Sequence, residues 1–99
     1  MNLTISRATR DKLKNKHCVE VKEIEQCFLN RQGCFLIDTR EDHKTQPPTL
    51  WFIAETDLRR LLKVVFICHP DNTIEIKTAY EPSTNTRSFY NRKSTKPSI

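Results

Sequence analysis

The sequence predicts a small α+β domain in which two N-terminal helices pack on a four-stranded antiparallel sheet, with a short helix possible after it. Two observations carry this. Apolar residues in the first third recur at helical spacing, and beyond Gly33 the pattern changes to four short runs with strand character, each bounded by turn residues. The length sets the scale, because 99 residues suit one compact core and leave no room for a second.

The first helix is expected over about residues 5–15, with Ile5, Ala8 and Leu13 as its inward stripe. A break around His17-Cys18-Val19 leads into "EVKEIEQCFLNR", which sets Val21, Ile24, Cys27 and Phe28 on one face and charges on the other. Gly33, the only glycine, is expected to close this helix, since a C′ residue commonly takes the left-handed conformation that glycine tolerates. The strands follow as "CFLID", "TLWFIAE", "LLKVVFICH" and "TIEIKTAY". They are joined by a long polar loop "TREDHKTQPP", a short turn "TDLRR" and a tight turn "PDN", so consecutive strands should pair as an antiparallel meander. The third run is apolar at nearly every position and belongs in the interior, covered on both faces. After Pro82 a short helix is expected, with Ser83 as its N-cap and Phe89 docking inward. Residues 1–93 then form one domain, and 94–99 a flexible tail.

Composition and charge narrow the function. No stretch approaches the roughly 20 apolar residues of a membrane helix, and the N-terminus lacks a secretory core, so the expected compartment is the cytoplasm. Cys18, Cys27, Cys34 and Cys68 form no C-x-x-C pair and read as buried thiols. The pairs His17-Cys18 and Cys68-His69 hold zinc-ligand types, but adjacent strand residues face opposite ways, so no metal or cofactor is assigned. The net charge of +5 divides into +4 over residues 1–16, −3 in the middle and +4 over residues 83–99. Two basic ends flanking a mildly acidic centre suit a polyanion, because each neutralised phosphate releases a counterion.

The order of elements, together with several motifs, resembles the BrnT-type toxins of the RelE/ParE-like superfamily of toxin–antitoxin systems. The resemblance spans roughly residues 7–93. It rests on "KHCVEVKEIEQCF" at the entry to the second helix, "DTRED" at the end of the first strand, Trp51, "RRLLKVVF" and "IEIKTAY". It implies a RelE-like fold, metal-independent cleavage of RNA and neutralisation by a cognate antitoxin protein. One departure concerns the chemistry: where such toxins end the fourth strand in Ser-Ala-Arg, this chain has Thr78-Ala79-Tyr80 followed by Glu81-Pro82.

RNA cleavage without a metal needs a base for the 2′-hydroxyl, cations for the phosphate and an acid for the leaving 5′-oxygen. Arg40, Arg60, Tyr80 and Glu81 are the candidate catalytic residues, and Arg59, Lys63, Arg87, Tyr90 and Arg92 the candidate RNA contacts. His17 and His43 are further proton carriers, since histidine titrates nearest neutrality. Tyr80 is also open to a plain reading, as a strand-end aromatic capping the core. In a regular strand it shares a side with the apolar Ile74 and Ile76, so a twist or bulge near Thr78 would let its tip reach a groove while the ring stays packed. Two functions compete: an antitoxin-controlled ribonuclease, and a non-catalytic RelE-like module that binds nucleic acid or protein.

Overall fold

A computed structural model of the chain describes residues 2–40 and 45–94. It is an α+β domain. The chain enters as β1 (Leu3–Thr4) and continues through α1 (Arg7–Lys12), a π-helical turn (Leu13–His17) and α2 (Val21–Asn30). Then come β2 (Leu36–Ile37), β3 (Thr49–Glu55), β4 (Leu61–Cys68), β5 (Ile74–Tyr80) and α3 (Thr84–Ser94).

The four expected strands pair in sequential antiparallel order, with β4 interior as its apolar run requires. A fifth strand corrects the expectation. β1 lies parallel to β5, with Leu3 opposite Ile74, so the order is β1-β5-β4-β3-β2. Two residues are too short a run to display any period, which is why Leu3–Thr4 does not read as a strand.

The two faces of the sheet are covered by different helices. Phe52, Leu62, Val64 and Phe66 face α2, and Phe28, Phe35, Phe52 and Phe66 close on one another with ring centroids 4.7–6.2 Å apart. Ile24 and Cys27 complete this layer. Trp51 belongs to the opposite face by alternation, and there α3 lies against it through Phe89 and Tyr90. The helices therefore do not all sit on one side. Nor is α3 short, at 11 residues. Ser83 caps it as expected, its Oγ accepting from the Thr86 N–H at 3.2 Å.

Other local expectations give way to tertiary packing. Of the four cysteines only Cys27 is buried; Cys34 is partly buried, and Cys18 and Cys68 are exposed. Tyr90, rather than Phe89, is the α3 aromatic that docks inward, and its hydroxyl donates to the Cys34 carbonyl at 2.7 Å. Ser94 is buried as the last residue of α3 rather than opening a tail, and the remainder of the expected tail lies outside the described residues. Among the described residues no helix is long and apolar enough to cross a membrane.

Gly33 does not cap α2. That helix ends at Asn30 with an extended Arg31, and Gly33 has no positive φ. Its role is space: a Cβ there would come within 2.6 Å of the Tyr90 hydroxyl and 2.7 Å of the Ser94 Oγ. Because Tyr90 is tied to Cys34 and Ser94 is buried, the end of α3 would have to move. Gly33→Ala is expected to destabilise the fold by about 1–3 kcal/mol, the usual cost of overpacking. Urea denaturation reads this as a lower midpoint at constant slope.

Candidate nucleic-acid site

The site begins at the junction between α1 and α2. α1 is capped by Ser6, whose Oγ accepts from the Thr9 N–H, and it widens into the π-turn as the Leu13 carbonyl accepts from the N–H groups of both Cys18 and Val19. Cys18 takes a left-handed conformation, φ 54°, unusual for a residue other than glycine. Leu13 and Val19 are both buried and pin the two ends of this reversal. His17, the last residue of the π-turn, is thereby presented to β5.

Arg60 holds the reversal in place. Its Nη1 donates to the Cys18 carbonyl at 2.8 Å and to Glu23 at 3.1 Å, while Nη2 donates to the His17 carbonyl at 3.1 Å and to Glu81 at 3.3 Å. Glu23 in turn accepts from the Glu20 N–H at 3.0 Å, as half of the capping box that starts α2. Partial burial works against the Arg60 charge, but Glu23 and then Glu81 outweigh it and raise its pKa above the ordinary value. Two of the four candidate catalytic residues, Arg60 and Glu81, are thus engaged with each other and with the junction.

The other two face a different environment. Between β4 and β5 the register shifts: Val65 pairs with Thr78 and Phe66 with Ile76, leaving Lys77 as an extra residue. This is the bulge that the alternation calls for. It lets Ile76 and Ala79 both enter the α2-side core, each at most 1% exposed, while Tyr80 turns to the other face opposite Lys63. There the His17 ring lies 5.5 Å from the Tyr80 ring, centroid to centroid. Lys63 Nζ sits 4.5 Å above the Trp51 ring and 5.8 Å from that of Tyr80. Arg40 is held by a fork of hydrogen bonds to Asp38, from Nε at 3.1 Å and Nη2 at 2.8 Å. That hydrogen bonding to Asp38 is the main cause of its raised pKa. Asp38 itself, buried at the end of β2, is a member of the site that the sequence reading missed; "DTR" offers only the spacing of an Asp two residues before an Arg.

The remaining candidates divide. Arg59 takes φ 68° in the β3–β4 turn and lines a cleft with Asn30, Gly33, Glu55, Asp57 and Tyr90, rather than joining Lys63. Tyr90 is withdrawn into the core, because the second face of the sheet needs an aromatic there and Cys34 supplies a partner for its hydroxyl. Arg87 and Arg92 are exposed on α3. Glu41, Asp42 and His43 lie outside the described residues.

Burial of His17, followed by repulsion from Lys16 and Lys12, lowers its pKa below the ordinary 6.5. The ring is therefore neutral at pH 7 and available as a proton acceptor. Cys27 differs in kind: burial pushes its thiol up to about 12, so it stays protonated as a core residue bonded to the Ala54 carbonyl. Compared with known proteins, the chain matches no protein-family model, no curated protein and no solved structure.

Two predictions follow from this geometry. Arg60→Ala should lower stability by about 2–3 kcal/mol, since it leaves two carbonyls and Glu23 without their donor. Arg60→Lys should recover only part of that, because an ammonium cannot reach the same four acceptors at once; chemical denaturation of both variants checks this. For His17, the folded pKa lies below the unfolded one. Its contribution to stability is therefore present above the unfolded value and lost as pH falls through the folded value. An NMR titration should show its midpoint below 6.5, and Lys16→Gln should move that midpoint upward.

Proposed function

We propose that this chain is a small, metal-independent ribonuclease of the RelE-like toxin kind, working in the cytoplasm and neutralised by a cognate antitoxin. One observation carries the reading. Lys63 makes no ion pair among the described residues; its ammonium instead lies 4.5 Å from the Trp51 ring and 5.8 Å from that of Tyr80, and the His17 ring lies 5.5 Å from Tyr80. A cation without an ion pair near two aromatic rings, with a neutral imidazole close by, is an arrangement suited to a phosphodiester flanked by bases.

The chemistry would run as follows. Neutral His17 accepts the 2′-hydroxyl proton as that oxygen attacks the adjacent phosphorus. Lys63, with Arg40 as a further cation, stabilises the negative charge growing on the phosphoryl oxygens. The bond to the 5′-oxygen breaks as Tyr80 gives it a proton, leaving a 2′,3′-cyclic phosphate and a free 5′-hydroxyl. In this scheme Arg60 and Glu81 act by holding the His17 junction. They are positioning residues.

A second reading has its own observation: Arg60 and Glu81 are taken up by structural bonds, and the arginine that ends the fourth strand in BrnT-like toxins is replaced by Tyr80. A RelE-like module that binds RNA without cutting it would need nothing more than Lys63 and the aromatic rings.

Cleavage of single-stranded RNA by the purified chain separates the two. The ribonuclease reading expects His17→Gln to slow cleavage by about 10²–10⁴-fold, Tyr80→Phe by at least about tenfold and Lys63→Gln by about 10²-fold, with folding unchanged. Expression should arrest growth, and a neighbouring gene product should relieve the arrest. Binding with no cleavage of either free or ribosome-associated RNA would establish the second reading instead.

A further inference from the structure

The cation and ring contacts of the site do not stop at Trp51. Phe89 lies nearly parallel to the Trp51 ring, at 22° and 6.2 Å between centroids, and Lys93 Nζ reaches to 5.9 Å from the Phe89 ring. The contacts thus form one ladder, Lys93–Phe89–Trp51–Lys63–Tyr80–His17, crossing from α3 over β3 and β4 to β5 and the π-turn. Its members differ in access. Trp51 is only 7% exposed and serves as a floor, whereas Phe89 is 42% exposed, although a core docking would have hidden it as it hides its neighbour Tyr90 at 4%.

From this alternation we infer that the substrate is single-stranded RNA and that Phe89 is a second base-stacking subsite. One unpaired base lies against Tyr80 with Lys63 under its phosphate, and a base further along the strand lies on Phe89 with Lys93 beside its phosphate, since three ladder steps of 6.2, 4.5 and 5.8 Å separate the two rings and a dinucleotide does not reach both. The inference rests on the RNA reading of the Lys63–Tyr80 site, and it adds the strandedness of the substrate and a residue assigned to no role. The physical basis is that every base has a π-face but exposes it only when unpaired, so rings select single strands without selecting sequence. The spacing of Phe89 and Lys93, four apart on one helix, puts ring and cation on the same face. A duplex, whose bases are stacked internally, could meet the cations but not the rings.

The test uses the full chain and 2′-O-methyl oligouridylates of two to eight nucleotides, which lack the 2′-hydroxyl that cleavage needs, together with a 2′-O-methyl duplex of mixed sequence and its separate strands. Fluorescence of Trp51, the only tryptophan, reports binding next to Phe89. Single strands should bind at least about tenfold more tightly than the duplex. Phe89→Ala should weaken the longer oligomers by about tenfold and leave the dinucleotide unchanged, and Phe89→Trp should restore the loss. Lys63→Gln should weaken every length. Equal affinity for duplex and single strand, an unaltered affinity in Phe89→Ala, or a loss equal at all lengths would overturn the subsite while leaving the RNA reading in place. A chain whose binding is indifferent to Lys63→Gln would overturn that underlying reading and the inference with it.

Discussion

The guanidinium of Arg60 is the constraint on which the rest of the site depends. A chain that leaves α1 through a π-turn and a left-handed Cys18 presents two backbone carbonyls with no helical partner, and such groups are costly to leave unmet away from water. Arg60 meets both, and its planar fork reaches the α2 capping box through Glu23 at the same time. The cation comes from the residue just before β4, the central strand of the sheet. The helical layer is thereby tied to the sheet at the point where His17 must be held. At 25% side-chain exposure the pair with Glu23 sits between a solvated surface bridge and a dry interior one. Its value therefore lies as much in geometry as in Coulomb energy.

A second device, the bulge at Lys77, works on the same site from the other side. A regular β5 would have placed Tyr80 with Ile76 on the core face and Ala79 on the other. By inserting one residue the strand keeps both Ile76 and Ala79 in the core and sends Tyr80 outward, next to Lys63. The strand surrenders one ladder position and gains a reoriented phenol, a use of bulges common near functional sites. The junction and the bulge are independent in sequence, yet they converge on the contact between His17 and Tyr80.

What could be read from the sequence follows from how far each signal reaches. The three long strands, the interior place of residues 61–68 and the α2 stripe of Ile24, Cys27 and Phe28 were legible because burial imposes a period on them, and the two-residue β2 was legible from the longer apolar run 34–38 around it. β1 was not, since two residues carry no period. Gly33 was misread because its local signal, a lone glycine after a helix, is the same whether the need is a left-handed φ or room for Tyr90 and Ser94. Tyr90 and Phe89 were exchanged for a similar reason: adjacent aromatics on a weakly amphipathic helix do not say which one meets the sheet. Of the candidate site, the turn of Tyr80 toward the face that carries Lys63 was legible, since alternation asked for a twist or bulge near Thr78 and the register shifts there. The structural commitment of Arg60 was not, since its acceptors lie 21 to 43 residues away along the chain.

The way charge is divided in the site has a consequence for any anion that enters it. Arg60 is balanced by Glu23 and Glu81, and Arg40 by Asp38, so both arginines bring their counter-charges with them. Lys63 has none among the described residues, and the negative faces of Trp51 and Tyr80 hold its ammonium without neutralising it. Among the described residues an approaching phosphate therefore meets in Lys63 a cation without an ion pair, placed by rings that are themselves fixed in the sheet. The described basic residues of 2–16 and 83–94 add to the potential over a range set by the Debye length, about 8–10 Å at physiological salt. Long-range attraction thus belongs to the two ends of the chain and register to Lys63. Because the rings orient what the charges attract, exchanging Lys63 for Arg would keep the charge and still change the site: a planar fork would stack on Trp51, where an ammonium now lies near two rings.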